Sequence, residues 1–126
     1  MSGTAILIGP ATNLDKAEEL MRVARDLSDQ DVLAIRHLYE SQFPALEGTG
    51  WNIDVDAINK LWREHPPKIP GTVLPGETDS ILLKLQGLGL TASVERRETQ
   101  LGPNERVFAL LPKGADFVRY IEGANR

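Results

Sequence analysis

Residues 82–90 read LLKLQGLGL. Leu82, Leu85 and Leu88 recur every three residues, which places them on one stripe of a helix that turns about 100° per residue. Gly89 suits the left-handed residue that closes a helix. The spacing predicts a helix that starts at Thr78 or Asp79, either of which can cap it, and stops at Gly89. Downstream, residues 91–99 and 106–111 read as two strands around the turn-rich stretch Gln100 to Glu105. Pro112 then opens a last helix, whose inner stripe is Gly114, Phe117, Val118 and Ile121 and which ends at Gly123.

Three helices are expected upstream. Thr12 and Asp15 have capping-box spacing ahead of an apolar stripe of Leu14, Ala17, Leu20, Met21, Ala24 and Leu27. Ser28 caps a second helix, with Leu27 and Val32 placed as a hydrophobic staple and Val32, Ile35, Leu38 and Tyr39 inward. It is expected to end near Ser41, because Pro44, Gly48 and Gly50 read as a loop. Asp54 caps a third helix with Val55, Ile58, Leu61 and Trp62 on one face and Ile53 in staple position, and Pro66 and Pro67 stop it. Residues 66–76 hold four of the eight prolines, a stiff connection rather than a domain boundary. Residues 1–12 are expected to be a leader or tail, and residues 13–126 a single domain.

This order resembles a winged-helix domain. Leu82-x-x-Leu85-x-x-Leu88-Gly89-Leu90 is similar to the end of the recognition helix in bacterial regulators of the multiple-antibiotic-resistance family. Phe108 to Gly114, FALLPKG, resembles the segment that leads those proteins from the second wing strand into the next helix. The resemblance covers residues 28–123, and its specific motifs lie within 82–121. It implies a mainly α fold with a small β-hairpin wing, a winged helix-turn-helix-like α+β domain with an additional N-terminal helix. Two departures stand out. Leu111 replaces the usual capping Thr, and residues 66–77 replace the short turn of a DNA-reading helix-turn-helix.

Winged helices commonly bind DNA, so the resemblance implies contacts from helix 78–88 and from the wing. The candidates are Ser80, Lys84, Arg96, Arg97 and Arg106. Charge argues against that role. The chain carries 14 basic and 18 acidic residues, a net charge of −4, and residues 77–126 hold seven of each sign. If Ile81, Leu82, Leu85 and Leu88 face inward, then Asp79, Ser80, Leu83 and Gly87 face out, a poor set for reading base edges. Glu95, Glu98 and Glu105 offset the three arginines, so cross-strand ion pairs are the simpler expectation.

Other residue types point away from catalysis. Asp29/Asp31 and Asp54/Asp56 lie at helix starts, where acids cap free amides. His37 and His65 fall on different helices without metal-ligand spacing. No serine sits in a nucleophile elbow, no phosphate-binding glycine motif occurs, and there is no cysteine. The sequence therefore predicts no enzyme, cofactor or metal. No apolar run approaches a membrane span, and a cytoplasmic setting is expected.

The leading expectation is a non-catalytic protein-interaction or dimerisation module in a bacterial regulatory or defence-type protein. Its candidate interface is Leu20, Met21, Leu27 and Leu83, with a homodimer through residues 14–27 or another protein as partner. The alternative is a DNA-binding transcriptional regulator. A third expectation is that the chain is the C-terminal module of a longer bacterial defence-type or phage-related protein, suggested by how early the first helix begins.

Overall fold

The longest helix organises the chain. In the computed structural model, which describes residues 15–52, 54–72, 74, 76–97 and 106–124, it spans Asp29–Gly48. Around it lie α1 (residues 15–26), α3 (Val55–Glu64), α4 (Glu77–Gly87), β1 (Thr91–Val94), β2 (Val107–Leu110) and α5 (Pro112–Ala124). With the long helix as α2, the architecture is mainly helical with a two-stranded antiparallel hairpin. Ile35 and Leu38 of α2, Leu82 and Leu85 of α4, Phe108 of β2, and Phe117 and Val118 of α5 are buried together in one core.

Local chemistry explains where several elements start. Ser28 Oγ accepts the Asp31 N–H and the Asp31 carboxylate accepts the Ser28 N–H, a reciprocal box that satisfies two donors at the start of α2. Asp54 Oδ1 accepts the Ala57 N–H at 2.8 Å to begin α3. Pro112 opens α5, where its missing N–H costs nothing. Thr12 of the first expected capping box, Leu14 of the apolar stripe that follows it, and Ile53 of the staple expected at the third helix lie outside the described residues.

α2 does not end near Ser41. It continues through Pro44 to Gly48. A proline inside a helix removes one backbone bond and costs about 3 kcal/mol. Here the turn beyond it carries Leu46 into the core, only 3% exposed, and Gln42 is buried just before it. That burial favours the extra turns. The helix then stops on a pair of bonds, Gly50 N–H to Glu47 O and Trp51 N–H to Leu46 O, with Gly50 in the left-handed region.

α4 begins at Glu77, ahead of either expected cap, Thr78 or Asp79. Gly76, at φ +87°, precedes it without a side-chain cap, and Glu77 reaches back to accept the Leu74 N–H. Asp79 was expected to face outward; it instead falls within the first turn and is 7% exposed. Leu85 is fully buried and Leu88 half-buried. The helix closes as the sequence indicates, with Gly89 at φ +80°, Gly89 N–H to Gln86 O, and Leu90 N–H to Leu85 O. The proline-rich connection before it is packed: Pro67 and Ile69 are buried, and Gln30 Nε2 donates to Pro70 O.

The hairpin pairs Thr91 with Leu110 through to Val94 with Val107. The strands are shorter than expected, and residues 98–105, which include Glu98 and Glu105, lie outside the described residues. Gly114 locks the hairpin to α5. A Cβ there would come within 2.3 Å of Leu90 O, so only glycine allows this approach.

Candidate interaction surfaces

Helical side chains close both edges of the hairpin. Gln42 is 1% exposed; its Nε2 donates to Phe108 O and its Oε1 accepts the Leu110 N–H. This fork brackets Ala109 as a residue of a parallel neighbouring strand would. Asn59 repeats it: Nδ2 donates to Glu95 O and Oδ1 accepts the Arg97 N–H, bracketing Arg96. On the opposite edge, Gln86 Oε1 accepts from both the N–H and the hydroxyl of Ser93. An open strand edge invites pairing with another chain, and these amides occupy the ladder positions that would serve it.

The outward side of α4 carries exposed Ser80, Lys84 and Gly87, together with Leu83 at 37% exposure. Lys84 is committed elsewhere. Its ammonium bonds Asp31 at 2.5 Å, linking α4 to the capping box of α2. Burial alone raises the Asp31 carboxyl; the hydrogen bonds from Lys84 and Ser28 outweigh it and hold the group below its ordinary value.

The hairpin arginines differ among themselves. Arg97 bonds Asp56 Oδ1 at 2.9 Å on α3 and Glu95 Oε2 at 3.3 Å, and these two carboxylates raise its pKa. Its ion pairs therefore run to a helix and along its own segment beyond β1, not across the hairpin. Arg96 and Arg106 are exposed.

Two of the four candidate interface residues turn inward. Leu20 is 6% exposed in the core of its own chain, and Leu27 packs half-buried against the same core. Met21 remains 43% exposed. Salt bridges pin α1 along α5: Lys16 to Asp116 at 2.7 Å and Glu19 to Lys113 at 2.6 Å. Burial raises the Asp116 carboxyl, but hydrogen bonds from Lys16 and Arg119 bring it below its ordinary value; the Lys113 bond lowers Glu19 as well.

The two histidines, distant in sequence, meet. His37 Nε2 donates to the His65 carbonyl at 2.9 Å, tying α2 to the end of α3. No group of three His, Asp or Glu able to hold a metal ion occurs among the described residues. Nor, among them, is any helix long and apolar enough to cross a membrane.

One further feature had no sequence signal. A cleft of about 320 Å3 opens beside the hairpin, between Trp51, Asp54 and Val55 on one side and Ala92, Ala109 and Pro112 on the other. Trp51 sits at φ +68°, its indole edge-on to Phe43 with centroids 6.0 Å apart. The chain matches no protein-family model, no curated protein and no solved structure.

Proposed function

We propose that the chain is a winged-helix-like, non-catalytic interaction module of a bacterial cytoplasmic regulatory or defence-type protein. The succession of helices, hairpin and closing helix supports the fold reading. One observation carries the functional reading: two of the four candidate cations on the would-be DNA-reading side are bonded to the protein's own carboxylates, Lys84 to Asp31 and Arg97 to Asp56 and Glu95. Nonspecific DNA affinity comes mainly from neutralising phosphates, and a phosphate contact by Lys84 or Arg97 would compete with an existing ion pair. Exposed Leu83 and Met21 suit a protein surface better. The partner is another protein or a second copy meeting it through residues 14–27, where Met21 is an exposed apolar side chain. Sedimentation at micromolar concentration tests the second case. A dimer dissociated by Met21→Glu is expected, and a monomer would remove self-association.

The second reading, a DNA-binding transcriptional regulator, draws on exposed Ser80, Arg96 and Arg106 around α4 and the hairpin. An anisotropy titration with duplex DNA at physiological salt separates the two. The expected result is no binding tighter than about 10 μM, the weak range of nonspecific association. Submicromolar binding abolished by the Arg96→Ala, Arg97→Ala double variant would install the regulator reading in place of ours.

A further inference from the structure

The cleft beside the hairpin has a shape and polarity independent of either reading above. Its floor is apolar, formed by Leu46 and Ile58, which are 3% and 2% exposed. On the sheet side it is bounded by Ala92 and Ala109, a cross-strand pair whose small side chains leave space above the strands. Trp51 borders it, in a left-handed backbone conformation, with its N–H donating to Leu46 O at 2.7 Å. Left-handed geometry at a large aromatic residue is uncommon and persists where surrounding contacts enforce it.

Among the described residues lining this cleft, Asp54 is the one charged side chain. Its Oδ1 caps α3 through the Ala57 N–H, and Oδ2 remains to receive a donor from a bound molecule. The combination is an aromatic wall, an apolar floor and a single carboxylate. An aromatic face and a carboxylate both attract a cation, and the net charge of −4 draws one in at longer range. About 320 Å3 lies at the low end of small-molecule sites. That volume suits one ring with a short tail and is too small for a helix or an extended peptide.

We infer that this cleft binds a small aryl-alkyl ammonium, with its ring over Ala92 and Ala109 beside Trp51 and its cation at Asp54. The test uses the full chain and two probes of nearly equal size and opposite charge, 2-phenylethylammonium and 3-phenylpropionate, followed by NMR shifts at the Trp51 indole and the Ala92 and Ala109 amides. The ammonium is expected to bind saturably at these positions and the carboxylate at least about tenfold more weakly. Asp54→Asn preserves the helix cap, since Asn caps as well as Asp, and removes the charge. It should weaken the ammonium roughly three- to fivefold, the range of a solvent-exposed ion pair. Ala92→Ile, which fills the space with a residue favoured in strands, should abolish binding while the dispersion of the remaining spectrum persists. No shift at up to 10 mM ammonium, equal binding of the two probes, or ammonium binding unchanged in Asp54→Asn would each overturn the inference. If Ala92→Ile fails to fold, the Asp54→Asn comparison still decides.

Discussion

Gln42 and Asn59 perform the same act in different surroundings. Each side-chain amide brackets one strand residue, donating to the carbonyl before it and accepting the N–H after it. Gln42 does so inside the core, on a strand that also has a partner in β1. Asn59 does so where the ladder has ended: β1 stops at Val94, and the fork holds residues 95–97 in place of a neighbouring strand. Both bonds of the Gln42 fork are fully buried, whereas those of Asn59 are partly accessible to water. The difference shows two uses of one device. At Gln42 it prevents a buried strand edge from going unsatisfied; at Asn59 it steers the chain out of the sheet and along α3. Neither edge is left as an open ladder for an incoming strand.

Leu85→Ala sets the scale for breaking this core. Leu85 is fully buried, and its truncation is expected to cost about 2–5 kcal/mol in denaturant unfolding. Gln42→Leu should cost an amount of the same order. It strands Leu110 N–H and Phe108 C=O in the interior, at about 1–3 kcal/mol for each unsatisfied group. Asn59→Leu should cost less, about 1–2 kcal/mol, because water can reach the groups it releases. Amide exchange sharpens the contrast: Gln42→Leu should accelerate Leu110, and Asn59→Leu should accelerate Arg97. An Asn59→Leu loss equal to or above that of Gln42→Leu would end the distinction. Gln86→Ala frees only exposed Ser93 groups and should stay within about 0.5 kcal/mol.

The last effect concerns acid. Asp31, in the first turn of α2 and bonded to Lys84 of α4, has its carboxyl held below its ordinary value of 3.8. A carboxyl lowered by folding contributes stability that is complete above its unfolded value and is lost as pH falls through its folded value. Asp116 adds in the same direction. Stability measured by urea unfolding should therefore be flat in these two groups from pH 7 to about 5 and decline below about pH 4. Asp31→Asn should be less stable than the parent at pH 7, with the gap closing as pH falls below 4. A gap that widens with acid would reverse the assignment.

What the sequence settled by itself was local. The Ser28–Asp31 box, the Asp54 cap, the left-handed Gly89 and the opening Pro112 each act within a few residues, so residue type and spacing reveal them. The hairpin was legible for a similar reason, since two apolar runs flank a turn-rich stretch. The tertiary structure decided whatever depends on distant partners. α2 ends at Gly48, seven residues beyond the Ser41 end its local signals indicate, because the burial of Gln42 and Leu46 outweighs Pro44. The Gln42 fork spans 66 and 68 residues, the Asn59 fork 36 and 38, and the Lys84–Asp31 bridge 53. Leu20 and Met21, adjacent on one apparent apolar stripe, were divided between core and surface by the way α1 lies on α5. The cleft at Trp51 and Asp54 likewise exists only where the end of α2, the start of α3 and the hairpin converge. A side chain's pattern in the sequence shows which face it occupies on its own element. What that face meets is set by how the elements pack, and the free energies that decide it arise between residues dozens of positions apart.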